Sequence, residues 1–102
     1  MSDEHEVRLP VIRYDPTIQF EEPEGYIPDF VELGDGRVID SNRLYWLCDA
    51  LLQEHPEAER LRSVWETQPG LDLEPLPAGM VLVTLRATGE KVGLFDARWL
   101  DA

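Results

Sequence analysis

Lysine is almost missing from this chain of 102 residues. Of nine basic residues, eight are arginine and only Lys91 is lysine. Against them stand 21 acidic residues, giving a formal charge of −12 and a pI near 4.3. So few cations cannot neutralise a phosphate backbone, which excludes direct nucleic-acid binding as an expectation. The same deficit argues against docking on anionic lipid. Cysteine is scarce as well. A single Cys48 excludes an internal disulfide and a four-cysteine zinc site. Histidine occurs only as His5 and His55. Neither belongs to a ligand pair one helical turn apart or stands in a nucleophile–base motif.

Long apolar runs are missing too. None approaches the ~20 residues that span a bilayer. The opening Met1-Ser2-Asp3-Glu4-His5-Glu6 is no signal peptide, so the sequence reads as cytoplasmic. Gly34-Asp35-Gly36 lacks the further glycine and following helix of a phosphate loop. Asp35 and Asp40 lack the alternate ligands and closing glutamate of a calcium loop. No cofactor, metal ligand or catalytic residue is expected. Twenty-one acids guarantee carboxylate neighbours by chance, but a chain this short has little length for the cleft that paired-carboxylate catalysis needs. The expectation is that the protein is no enzyme.

The length and a hydrophobic content of 43% fit one α+β domain over residues 1–102. Pro10, Pro16, Pro23 and Pro28 bar a long helix from the N-terminal third. Residues 1–6 are expected to fray. Val7, Leu9 and Val11 alternate with polar or proline positions, predicting an N-terminal edge strand around 7–14. Residues 15–29 read as an extended acidic segment pinned by Ile18, Phe20, Tyr26 and Ile27. Two apolar runs around Gly34-Asp35-Gly36 predict a hairpin at about 30–40.

Asp40 or Ser41 is placed to cap a helix over about 42–55. Leu44, Leu47, Cys48, Leu51 and Leu52 recur on one face of it, which makes Cys48 a packing residue. Trp46 stands roughly 200° from Leu44, on the side of Asp49 and Gln53. Either another element covers it or it contacts a partner, a role in which tryptophan is enriched. A second helix is predicted at about 57–67, with Ala58, Leu61, Val64 and Trp65 on one face. Pro75 and Pro77 make 71–79 read as a loop. A second hairpin follows at about 80–99. Apolar residues on both faces of 80–85 predict a central strand covered on each side. Together these give a small antiparallel sheet packed against one or two helices.

The charge is concentrated: through Gly34 there are nine acidic residues and two basic ones, −7 of the total −12. The expected function is a non-catalytic, acidic protein-binding module that docks on a basic surface of another protein. The expected contacts are Glu21, Glu22, Glu24, Asp29, Glu32, Trp46 and Asp49. In a sharper form the chain is an inhibitor mimicking nucleic-acid charge, its partner a nucleic-acid-binding protein. Glu4/Glu6 and Glu22/Glu24 on extended chain stand roughly 6–7 Å apart, similar to successive phosphates. Small acidic phage- or plasmid-type anti-defence inhibitors, such as anti-CRISPR and anti-restriction proteins, share this charge and size by analogy only. An antitoxin or immunity-type inhibitor of a basic enzyme is the alternative, anchored through Trp46. A structural or assembly subunit, extended through an unpaired strand edge, is a third.

Overall fold

The computed structural model describes residues 9–20, 24–27 and 29–100. The expected frayed end at 1–6, and Glu21 and Glu22, lie outside them. In chain order the elements are β1 (Val11–Ile12), β2 (Phe30–Glu32), β3 (Val38–Asp40), α1 (Ser41–Glu54), α2 (Ala58–Thr67), β4 (Leu71–Pro75), β5 (Met80–Leu85) and β6 (Lys91–Asp96). A 3-10 turn, Ala97–Leu100, follows β6. The fold is α+β: two helices pack against a four-stranded sheet of order β1-β6-β5-β4, and β2 and β3 form a separate two-stranded sheet.

Both helices follow from their apolar spacing. All five residues of the α1 stripe are buried, Cys48 among them. Asp40 is the cap, its Oδ1 accepting the Asn42 amide at 2.8 Å. After His55 the chain turns, and the His55 Nδ1 accepts the Glu57 amide at 3.0 Å. That bond satisfies one of the free donors before α2 and accounts for a buried histidine. Pro56 sits in the connecting turn. Leu61 and Trp65 of α2 complete the helical side of the core.

The sheet departs from the sequence reading in four ways. It is mixed, because β1 pairs parallel to β6, Val11 beside Leu94 and Ile12 beside Phe95. Residues 7 and 8 of the predicted N-terminal strand lie outside the described residues; within them the strand is only Val11–Ile12, and the Leu94 amide donates to the Pro10 carbonyl just before it. Residues 71–75 are a strand, not a loop. Bonds from the Arg86 amide to the Gly70 carbonyl and from Leu76 to Met80 set the β4–β5 register. By the alternation of an antiparallel ladder, position 75 faces away from β5, so Pro75 removes no ladder donor. Third, the C-terminal hairpin ends at Asp96, and the 3-10 turn folds Trp99 fully into the core.

The fourth difference concerns β5. It is central, flanked by β6 and β4, but covered on one face only. Val81, Val83 and Leu85 are buried under the helices, while Met80, Leu82 and Thr84 stay half-exposed. Two helices suffice to bury one face of four strands, and the residues of the other face are only partly covered.

The 30–40 hairpin forms as expected but outside the main sheet. Gly36 has φ +91° in its turn, the left-handed conformation that glycine adopts without penalty. Asp35 braces that turn, accepting from the Arg37 amide at 3.1 Å and from Arg37 Nε at 2.7 Å. The Ser41 amide donates to the Asp29 carbonyl at 2.7 Å, tying the hairpin to the start of α1. Ile39 is buried and Val31 packs against the core, so one hairpin face is anchored.

Candidate interaction surface

Arginine pairing divides the molecule. Arg60 contacts Glu57 at 2.9 Å and Glu90 at 2.5 Å. Arg62 pairs with Asp49, Arg86 with Asp72 and Arg98 with Asp96. Hydrogen bonds from Arg60 and Arg98 hold the Glu90 and Asp96 carboxyls below the usual carboxylate range. These cations neutralise acids on the helices and the C-terminal strands. Glu24, Asp29 and Glu32 are exposed and have no ion pair to a described residue.

The hairpin brings one of those acids, Glu32, together with apolar surface. Phe30 stands opposite Asp40, and Glu32 opposite Val38. Successive strand residues point to opposite faces, so Phe30, Glu32, Val38 and Asp40 share the face turned away from the core. Phe30 is 57% exposed and Val38 44%. Ile27, next to this face in sequence, is 85% exposed and so does not pin the segment as expected. Tyr26 does pin it, as expected, its hydroxyl donating to Asp40 Oδ1 at 2.9 Å. Neighbouring residues of an extended chain point opposite ways, and an inward Tyr26 sends Ile27 outward.

Trp46 lies elsewhere. Phe20 from the N-terminal segment meets it edge-on, with ring centroids 5.3 Å apart, and Trp99 lies 5.6 Å away. Arg43 stacks over Phe20 at 4.8 Å and donates to the Trp99 carbonyl at 2.9 Å. This packing leaves Trp46 37% exposed, so the covering element foreseen for it is Phe20. Asp49 is half-buried, accepts from Gln53 at 3.0 Å and is balanced by Arg62. Neither residue adjoins the hairpin acids in sequence or in these contacts. Tyr45 is 62% exposed and stacks on Trp65, with centroids 4.8 Å apart.

Exposed Phe30 and Val38 were not singled out from sequence. The signal was available in the alternation of Phe30 and Glu32 about Val31. An acid two residues away on the same strand face puts Phe30 on the solvent side. Val38 follows once the turn fixes it opposite Glu32.

Cys48 and His55 are both committed to structure. Burial pushes the Cys48 thiol up to about 12, far from a reactive thiolate. His55 uses Nδ1 in the interhelical turn. Among the described residues no group of three or more histidine, cysteine or acidic side chains could hold a metal ion. No described helix is long and apolar enough to cross a membrane. No family model, curated protein or solved structure matches the chain.

Proposed function

We propose that this chain is a non-catalytic binding module whose acidic hairpin docks on a basic surface of another protein. One observation supports the reading above the rest. Exposed Phe30 and Val38 share a face with Glu32, beside Asp29, and these acids have no internal cation among the described residues. Apolar side chains supply area to bury, and unneutralised carboxylates supply the field that selects a basic partner. Within the hairpin Arg37 pairs with Asp35. The four other pairing arginines, Arg60, Arg62, Arg86 and Arg98, serve acids of the helices and C-terminal strands, which leaves Glu24, Asp29 and Glu32 unbalanced among the described residues. The proposed setting is the cytoplasm, where a lone reduced Cys48 is at home.

The finer reading, an inhibitor that mimics nucleic-acid charge, makes the partner a nucleic-acid-binding protein. It differs from an immunity-type inhibitor of a basic enzyme in its response to change. A mimic loses affinity in small steps as carboxylates are neutralised. An immunity-type interface loses it abruptly at one aromatic anchor.

The test is affinity capture from a lysate with the native chain and with the triple variant Glu24→Gln/Asp29→Asn/Glu32→Gln. Salt is stepped from ~0.01 M, where charges act over about 30 Å, to ~1 M, where they act over about 3 Å. The expected result is a basic protein retained at low salt by the native chain alone. A partner held equally by both chains across that range overturns the reading.

A further inference from the structure

We propose that β2 is an open strand edge that receives an extended, arginine-bearing segment of the partner by β-strand addition. This rests on the docking reading above and specifies how the partner binds. Among the described residues β2 pairs only with β3, which also contacts the 3-10 turn. The bonds from the Ser41 amide to the Asp29 carbonyl and from the Leu33 amide to the Arg37 carbonyl fix the hairpin register. In an antiparallel ladder hydrogen-bonded pairs alternate with non-bonded ones, so the bonded pairs are 29/41, 31/39 and 33/37. The amides and carbonyls of Phe30 and Glu32 therefore point away from β3, toward the open side. Among the described residues no strand pairs with those two donors and two acceptors.

Charge selects the occupant. A second copy of this chain laid antiparallel along β2 offers Glu32 no cation: centred on Val31 it sets Glu32 opposite Phe30, and centred on Glu32 it sets two like charges across the strands, which is destabilising. Acids on an edge are a usual guard against such self-pairing. The same acids admit a basic strand. Residues directly across a ladder share a face, so the register dictates the incoming sequence. Read antiparallel to β2, an arginine falls opposite Glu32, any residue opposite Val31, an apolar residue opposite Phe30 and a second basic residue opposite Asp29. The recognised pattern is thus basic, any, apolar, basic on extended chain, with backbone bonds giving affinity and alternate side chains giving selectivity.

The probe is a capped peptide of about nine residues with the core arginine, threonine, valine, arginine, long enough for one strand. Its binding to the full chain is followed by fluorescence anisotropy. Two N-methylated forms accompany it. One is methylated at the first arginine and the valine, whose amides face β2; the other at the threonine, whose amide faces away. Loss of two hydrogen bonds is expected to weaken the first form by about tenfold or more, and the second should bind within about threefold of the parent. Glu32→Gln should weaken the parent peptide, and Glu32→Lys should abolish its binding.

If both methylated forms bind like the parent, strand addition is overturned while charge-dependent docking stands. If no form binds, strand addition is overturned as well, and capture by the native chain against the triple variant judges the docking reading by itself. Self-association at low salt that Glu32→Lys removes likewise overturns it, assigning the edge to a second copy.

Discussion

Gly93 and Leu51 meet so closely that no methyl group fits between them. A Cβ on residue 93 would lie 2.7 Å from Leu51 Cδ2 and 2.7 Å from the Pro10 carbonyl oxygen. Residue 93 is where helix α1, strand β6 and the approach to β1 converge. One of its two neighbours is backbone, and that backbone accepts the Leu94 amide, so it cannot simply yield. Gly93→Ala is expected to cost about 1–3 kcal/mol through overpacking. At roughly 4–8 °C per kcal/mol for a domain of this size, the thermal midpoint should drop clearly. A melt indistinguishable from the native chain would show that β1 is not docked on β6 as described.

That convergence also marks where the sequence was legible and where it was not. Periodicity identified α1 through Leu44, Leu47, Cys48, Leu51 and Leu52, and those residues are buried together. The Gly-Asp-Gly turn and the alternation of 80–85 identified the hairpins. Topology was not legible. Nothing local to Val11 announces a parallel partner more than 80 residues later, because the pairing is decided by the space beside β6. Pro75 misled for another reason. Proline opposes a strand only where its amide is needed, and the outward side of an edge strand does not need it. At the candidate surface the acids were readable from composition. That Phe30 and Val38 join them depended on which hairpin face the core takes.

Phe20 and Trp46 provide a second test of the N-terminal segment. Their edge-on contact is one of a group that also includes Trp99 and Arg43. Phe20→Ala should shift tryptophan emission to longer wavelength and raise quenching by acrylamide, because Trp46 loses its cover. A double-mutant cycle between Phe20→Ala and Trp46→Ala should return a coupling of about 0.5–1.5 kcal/mol, the usual size for such pairs. Zero coupling together with unchanged emission would mean that Phe20 does not rest on Trp46.

The Arg60–Glu90 pair links the start of α2 to the turn before β6, and it carries a pH signature. Bonds from Arg60 hold the folded Glu90 carboxyl below its ordinary value. A depressed carboxylate takes up its proton later in the folded chain than in the unfolded one. Its contribution is therefore complete above about pH 4.3, the unfolded value, and fades as the pH falls through the lower folded value. Asp96 follows the same direction through Arg98. Thermal midpoints measured from pH 7 down to pH 2 should fall on the acid side. Arg60→Gln should make that fall shallower, since Glu90 then loses the largest of the interactions that lower its pKa and keeps the smaller bond from Thr88. An unchanged acid limb would remove Arg60 from the account.

Cys48 should be silent toward thiol reagents until the chain unfolds. Its side chain is buried on the α1 stripe, and burial pushes its pKa up to about 12. The thiolate, not the thiol, reacts. Labelling by a disulfide reagent near neutral pH should therefore be negligible on the time scale of a free thiol. It should become stoichiometric in denaturant. Rapid labelling of the native chain would place Cys48 at the surface and break the helix stripe that organises the core.

Phe30 and Ile39 stand on opposite faces of one hairpin, and that contrast separates a docking role from a folding role. Ile39 is 1% exposed and sits in the main core, so Ile39→Ala should cost about 2–5 kcal/mol through its cavity. Phe30 stands on the outward face and meets water. Phe30→Ser should change stability by no more than about 0.5 kcal/mol, in the range of ordinary surface substitutions. Chemical denaturation of the two variants measures both values. If Phe30→Ser proves as costly as Ile39→Ala, the ring is covered within the chain and the hairpin face is not free to bind. If it is neutral, a large apolar side chain is held in water without any return to the fold, and its use lies in a contact outside the molecule.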